Sequence, residues 1–136
     1  MDTLVFIYAL ERNSQFVRPA EAVLRAILQG RLTAIASTLL VAELLVLPYR
    51  QQRHDVADRY VNYLQTYPNL ALVPPGVAIC RRAAELRGGH EGMRLPDAIH
   101  LATAIEGGAS AFITNDHRLP SVAEGTRLLL SDLASA

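Results

Sequence analysis

The sequence of 136 residues contains no lysine, since all 13 of its basic residues are arginine. A Walker A nucleotide-binding loop is therefore excluded, because that loop needs a lysine to contact phosphate. The same absence argues against a phosphoaspartyl receiver domain and a haloacid-dehalogenase-type phosphotransferase, whose acidic sites also carry a lysine. Cysteine is nearly absent as well: Cys80 stands alone, which excludes a disulfide framework and a zinc site built from several thiolates.

Three further features are missing: an excess of one charge, a long apolar run and a leader-like start. The 13 basic residues are balanced by 13 acidic ones, so the composition does not indicate a broad, non-specific binder of polyanions. The longest apolar stretch, residues 39–48, contains Glu43 and is too short to cross a bilayer. The chain starts with Asp2 after the methionine, where a signal peptide would carry basic residues. We therefore expect a cytoplasmic protein with no membrane segment.

Short apolar runs alternate with helical patterns along the chain. Hydrophobic residues make up 51% of the sequence and charged residues 19%, as in a folded domain with its own core. Alternating strands and helices favour a parallel sheet covered by helices on both faces. We predict a single α/β domain over residues 1–136, in which residues 3–10 are compatible with either a strand or a helix. The predicted strands are residues 32–36, 70–73, 111–113 and 127–130, and the predicted helices are residues 19–29, 39–51, 55–66, 77–87 and 96–106.

Residues 95–116 place two acidic side chains near one edge of the predicted sheet. Pro96 suits the first helical position because it lacks the amide hydrogen that would stay unpaired there, and it places Asp97 in the first turn. The helix is apolar almost all round, which predicts burial, and glycines end it. Residues 111–113 then form a buried strand, and Asp116 follows its carboxyl end, where sites form in open α/β sheets.

Glu43 lies in the middle of a predicted helix, on a face that it shares with apolar side chains. The residues three and four positions away are all leucine or valine: Leu39, Leu40, Val46 and Leu47. An ionised carboxylate on such a face is costly unless it has a partner or a metal. Glu43 is therefore predicted either to bind a cation or to form an ion pair with a distant arginine.

Each of the other acids also has a structural explanation. Asp97 can interact favourably with the helix macrodipole, by roughly 0.3–1 kcal/mol. Asp116 can cap a turn, and Asp2 can be an ordinary N-terminal acid. These three acids and Glu43 nevertheless all adjoin segments that should be buried, and close carboxylates repel unless a cation keeps them ionised. Oxygen-only ligands suit Mg²⁺ or Mn²⁺ better than zinc, and such ions activate water in phosphodiester hydrolysis.

Four segments of this sequence resemble the PIN-domain family, and in particular its VapC-like toxin ribonucleases. The segments are Asp2-Thr3 with the apolar run after it, Ser37-Thr38 followed by VAELL at 41–45, LPDAIHLATA at 95–104, and ITND at 113–116. Their order and spacing agree with the family over nearly the whole chain.

The resemblance implies a three-layer α/β/α sandwich around a short central parallel sheet. It implies cleavage of RNA that depends on Mg²⁺ or Mn²⁺, a homodimer, and neutralisation by a small VapB-like antitoxin encoded alongside the toxin. The alternative is a PIN-like module that kept the fold but acts by binding RNA or protein. The implied catalytic site has Asp2, Glu43 and Asp97 as the principal metal ligands, Asp116 as a fourth acid that binds a second metal or orients water, and Thr114 and Asn115 as residues that shape its loop.

The start of the chain departs from the family pattern. Family members normally have a short central strand before the first acid, whereas only Met1 precedes Asp2 in this sequence. Three interpretations stay open: the central strand is a stub, residues 3–10 supply more of it, or the native chain begins earlier.

Several other residues have both a functional and a structural interpretation. His100, one turn beyond Asp97, and His117 could touch phosphate or substrate, or could be satisfied or solvated histidines. Residues 44–47 carry more apolar side chains than one helix face buries, so part of that helix could enter a dimer or antitoxin interface. The arginines that could contact backbone phosphates are Arg50, Arg53, Arg81, Arg82, Arg87 and Arg94, although most of them are expected to lie on solvated helix faces.

Overall fold

A computed structural model of the chain describes residues 16–114 and the backbone of residues 126–129. The predictions for Asp2, Asn115, Asp116, His117 and residues 3–10 lie outside this part of the chain. The described elements, in order, are α1 (Val17–Leu28), β1 (Ala34–Ser37), α2 (Leu39–Leu44), α3 (Val46–Arg50), α4 (His54–Thr66), β2 (Leu70–Val73), α5 (Val77–Gly89), α6 (Leu95–Glu106), β3 (Ala111–Thr114) and β4 (Thr126–Leu129).

The strands pair in parallel, as their alternation with helices requires. Strand β1 pairs with β2, with Ala34 opposite Leu70 at the start of the register. Strand β3 pairs with β4, with Ala111 opposite Thr126. The predicted α/β class with short parallel strands is therefore confirmed. Strand β2 has the predicted bounds, and the ends of the other described strands lie within two residues of the predictions.

Helix α1 supplies the largest share of a first hydrophobic cluster. Its buried side chains recur at the spacing of one helical face, which explains why this segment forms an amphipathic helix. They pack with β1, α2 and α4. The buried members of this first cluster are Ala20, Val23, Leu24, Ile27, Ala36, Leu40, Leu44 and Leu64.

Helix α6 is buried on nearly all sides, as its composition predicted, and packs against α5. Its small alanine side chains allow the two helices to approach closely. None of the helices within residues 16–114 is long and apolar enough to cross a membrane. The buried members of this second cluster are Ile79, Ala83, Leu86, Ala98, Leu101, Ala102, Ala104 and Phe112.

The prediction of a single helix over residues 39–51 is wrong. The structure has two short helices, α2 and α3, separated at Leu45. Pro48 explains the break, because proline has no amide hydrogen and its ring clashes with the carbonyl four residues earlier, here that of Leu44. The break also changes what faces solvent: Val46 and Leu47 are each 43% exposed, so they do not extend the buried face that carries Leu40 and Leu44.

Helix α6 ends on two glycines that are needed for different reasons. At Gly107 the helix passes close to β1: a Cβ atom there would lie 2.7 Å from Cδ1 of Ile35 and 3.0 Å from the carbonyl oxygen of Thr103. Gly108 has φ of +72°, in the left-handed region that favours glycine. These two residues allow α6 to lie against β1 and then turn into β3.

Candidate functional site

The helix that carries Glu43 begins directly after the carboxyl end of β1. Ser37, the last residue of β1, is buried, and its hydroxyl oxygen accepts a hydrogen bond from the backbone N–H of Leu39 at 3.1 Å. From the sequence, either Ser37 or Thr38 could cap this helix. Thr38 occupies the cap position but makes no side-chain cap hydrogen bond, so Ser37 satisfies the helix start. Strand β1 and its terminal serine thus fix where Glu43 lies, about one turn later.

Glu43 meets His100 where α2 packs against α6. The Nε2 atom of His100 and the Oε1 atom of Glu43 form a hydrogen bond between residues that are 57 positions apart in the sequence. The two side chains are unequally buried, since His100 is 2% exposed and Glu43 is 36% exposed. The contact gives Glu43 a partner that the sequence analysis did not assign to it.

The sequence does indicate that His100 needs a hydrogen-bond partner. An imidazole on a helix that is apolar on nearly all sides must find a hydrogen-bond partner, because buried polar groups are almost always paired. Glu43 was the other polar side chain expected on a largely apolar face. The sequence therefore contained a signal that His100 and Glu43 are partners, because each needs a hydrogen bond or a charge partner. Only the packing of α2 against α6 shows that the two side chains meet.

Asp97 lies in the first turn of α6, three positions before His100. Residues at this spacing share a helix face, with Cβ atoms about 5–6 Å apart. Glu43 therefore contacts a residue that lies about one helical turn from Asp97 in α6. The Nε atom of Arg94 donates to Oδ2 of Asp97 at 3.2 Å, and the Asp97 side chain is 15% exposed. We call Glu43 and Asp97, the two described acids of the predicted site, the acid cluster.

Thr114 is the last residue of β3 and is fully buried. It was predicted to shape the loop that leads to Asp116. Because its side chain faces the interior, Thr114 would shape that loop by anchoring the end of β3, without direct contact to a substrate.

The acid cluster offers oxygen ligands of the kind that Mg²⁺ and Mn²⁺ prefer. Mg²⁺ commonly binds through one or two carboxylates together with water and substrate phosphates, so Glu43 and Asp97 fit this role. Within residues 16–114, no group of three or more His, Cys, Asp or Glu side chains could hold a metal ion. The two remaining acids of the predicted site lie outside the described residues.

Two of the arginines predicted as phosphate contacts are engaged in ion pairs away from the acid cluster. Arg53 donates to Asp55, and this hydrogen bond is the main cause that lowers the pKa of the Asp55 carboxyl to about 2. Arg82 pairs with Glu106, at 2.9 Å between Nε and Oε1. Arg94 differs from both, since it touches a member of the acid cluster, and its side chain is 66% exposed.

A cavity of about 350 Å³ lies at the amino ends of β1 and β3. Its lining is mostly apolar and includes Ile27, Ile35 and Ile113. Gly107, at the carboxyl end of α6, also lines it, whereas the acid cluster involves the amino-terminal half of α6. No acidic side chain is among its described lining residues, so this cavity is distinct from the candidate site.

Comparisons with known proteins agree with the family suggested by the sequence. The family model described as PIN domain matches residues 1–125. A chain in the crystal structure of VapBC2 from Rickettsia felis, bound to a DNA fragment from their promoter, superposes with a TM-score of 0.73. The two chains are 15% identical, and the alignment covers 94% of this chain and 95% of that chain, which confirms the PIN-like fold. A search of curated proteins finds no match. Because the family model spans most of the sequence, the chain belongs to the PIN-domain family.

Proposed function

We propose that this protein is a metal-dependent endoribonuclease that acts as the toxin of a toxin–antitoxin pair. PIN domains are generally nucleases, which supports phosphodiester hydrolysis as the reaction class. The observation that carries the proposal is the hydrogen bond between Glu43 and His100, which lies one turn after Asp97 in α6. Glu43 thus contacts the helix that carries Asp97, although the two acids lie far apart in the sequence.

The proposed cofactor is Mg²⁺ or Mn²⁺. When bound, such an ion supplies positive charge that makes water a better nucleophile and stabilises the leaving oxygen of the phosphodiester. The side chain of Glu43 is 36% exposed, which supports access of an ion from solvent. The proposed ligand set consists of Asp2, Glu43 and Asp97 with Asp116 as the fourth acid, and Thr114 and Asn115 would shape the loop that leads to Asp116.

Arg94 is proposed to contact the RNA backbone. Its guanidinium already lies beside Asp97 at the edge of the acid cluster and is largely exposed. A guanidinium can bind a phosphate through two parallel hydrogen bonds, which positions a chain without reading its sequence. RNA would in this way be held with a phosphate next to Glu43 and Asp97.

The proposed partners are a small VapB-like antitoxin and a second copy of the chain, acting in the cytoplasm as a single domain of residues 1–136. Helix α3 presents Val46, Leu47 and Tyr49 to solvent, each more than two-fifths exposed, which supports a protein interface there. One similar solved structure is that of VapBC2, which supports a protein partner. A small protein that is encoded directly upstream and co-purifies with the chain would support the toxin role.

Substitution of Asp97 by asparagine tests the nuclease activity. We expect the purified protein to cut a mixed RNA pool in Mg²⁺ or Mn²⁺ but not in a chelator. Asp97→Asn should lower the rate at least about 100-fold, since even an outer partner of a metal ligand is worth 10–100-fold. The matched control is Asp58→Asn, which makes the same change at an exposed position of α4 and should leave the rate unchanged.

Cleavage by Asp97→Asn at the wild-type rate would contradict this assignment. Binding of RNA without cleavage by the wild type would instead favour the non-catalytic PIN-like module.

A further inference from the structure

His100 is a buried polar residue to which the proposed reaction assigns no role. It lies on α6 among Ala98, Leu101 and Ala102, all of them buried. If this position only filled the core, an aliphatic side chain would do so without a polar group to satisfy. Burying an imidazole is costly unless it is hydrogen bonded, and the contact with Glu43 provides a hydrogen bond at Nε2.

The unequal burial of the two partners indicates which one holds the other. The imidazole is enclosed and its rotamer is limited by packing, whereas the Glu43 side chain is more than one-third exposed. A flexible glutamate on a short helix has several rotamers that point to solvent. A hydrogen bond from a fixed imidazole selects the rotamer that directs the carboxylate toward α6, where Asp97 lies.

We propose that His100 is a positioning residue that orients the Glu43 carboxylate as a metal ligand, an inference that rests on the proposed metal-dependent function. The N–H at Nε2 of His100 donates to Oε1 of Glu43, and the carboxylate oriented in this way would supply an oxygen ligand to the cation. Carboxylate ligands of metals are usually held by such outer hydrogen bonds, and their loss typically weakens metal binding or activity by about 10–100-fold.

The sharpest test compares two amides that differ by one methylene group. The side-chain nitrogen of glutamine in His100→Gln reaches about as far as Nε2 of histidine, whereas that of asparagine in His100→Asn stops short. Affinity for Mn²⁺ alone is measured for each variant by calorimetry. We expect His100→Gln to bind Mn²⁺ within about threefold of the wild type and His100→Asn to bind it about 10–100-fold more weakly.

Thr103→Val is the matched control for the loss of a buried polar group on the same helix. Thr103 is as buried as His100, but its hydroxyl donates to the carbonyl oxygen of Ile99 within α6 at 2.7 Å. This variant should therefore bind Mn²⁺ like the wild type. If Thr103→Val weakens Mn²⁺ binding as much as His100→Asn does, the effect comes from packing of α6 and the proposal is overturned.

A measurement on the wild type does not depend on the folding of any variant. When Mg²⁺ is titrated, the nitrogen resonances of the His100 ring should shift with the midpoint of Mg²⁺ binding, while those of the exposed His54 ring should not. Mg²⁺ binding without a shift at His100, or equal Mn²⁺ affinity of the wild type and His100→Asn, overturns the positioning role and leaves the proposed nuclease intact. A wild type that neither binds Mn²⁺ nor cuts RNA overturns both.

Discussion

Glu43 and His100 show how a single pair of residues can serve stability and chemistry together. Glu43 follows the first residue of α2 by little more than one helical turn, and His100 follows Asp97 by about one turn of α6. Their hydrogen bond gives the buried imidazole a partner at Nε2 and directs a partly exposed acid. Removing the acid should therefore affect folding as well as activity.

Glu43→Leu is expected to abolish RNA cleavage and to lower the free energy of unfolding by about 1–3 kcal/mol in metal-free buffer, because the buried imidazole loses a hydrogen-bond partner. Glu43→Gln retains an oxygen acceptor, so it should lose cleavage with a smaller loss of stability. Chemical unfolding followed by circular dichroism measures the difference. Equal or higher stability of Glu43→Leu would show that the Glu43–His100 hydrogen bond contributes nothing to folding.

For single residues, the acids of the site were easier to predict from the sequence than their partners. Glu43 was singled out because a charge on an apolar helix face needs compensation, and Asp97 because it begins a buried helix. His100 was left between two interpretations, since a histidine in a sequence does not indicate what lies opposite it. The partner belongs to a helix more than 50 residues away, and only packing brings the two together.

At the scale of elements, helix α6 is the part that connects the acid cluster to strands β1 and β3. Its first turns carry Asp97 and His100, and its last turn passes β1 at Gly107. The rotation and depth of this helix therefore depend on how closely its end can approach Ile35. A side chain at Gly107 would change that approach.

Gly107→Ala is expected to lower the free energy of unfolding by about 1–3 kcal/mol, the usual cost of overpacking. The added Cβ would meet Cδ1 of Ile35 at 2.7 Å and the carbonyl oxygen of Thr103 at 3.0 Å. The control is Gly88→Ala in α5, where a Cβ has no other heavy atom within 4 Å and alanine is the better helix former by about 1 kcal/mol. Urea unfolding that ranks Gly107→Ala at or above the wild type would contradict the close contact.

Most elements were predictable from the sequence because their signals are local. Strand β2 was predicted at its observed bounds, and α6 was predicted to within one residue. The exception is residues 39–51, for which a single helix was predicted. That prediction relied on an apolar pattern that continues on both sides of Pro48, and it neglected the effect of the proline. The steric conflict between Pro48 and the carbonyl of Leu44 outweighs that pattern and ends α2 just after Glu43.

At the scale of the whole molecule, the two hydrophobic clusters unite elements from distant parts of the chain. The first joins α1, β1, α2 and α4, and the second joins α5, α6 and β3. Tyr63 and Tyr67 of the α4 region pack against the first cluster with their ring centroids 5.1 Å apart. The hydroxyl of Tyr67 also donates to the carbonyl oxygen of Leu24 at 2.5 Å.

The burial of Tyr63 predicts a loss of stability at alkaline pH. Partial burial, and secondarily the neighbouring Tyr67, raise the pKa of Tyr63 to about 12, whereas a tyrosine in the unfolded chain has a pKa near 10. Between these values the unfolded chain releases a proton that the folded protein retains, so the free energy of unfolding falls as pH rises from about 10 to about 12.

Chemical unfolding at several pH values, for the wild type and Tyr63→Phe, measures this dependence. Tyr63→Phe should lose less stability over that interval, because the residue that retains its proton is gone. Parallel pH profiles of the two proteins would show that Tyr63 does not cause the loss.

The sequence by itself determined the α/β class, the positions of most elements and the choice of Glu43 and Asp97 as candidate site residues. These follow from local periodicity, from helix-start and helix-stop residues, and from the cost of a charge on an apolar face. The tertiary structure alone decided that Glu43 meets His100, one turn after Asp97 in α6, and that Gly107 lies against Ile35. Those contacts depend on how α2, α6 and β1 pack in three dimensions, and a one-dimensional pattern does not encode the distances between elements.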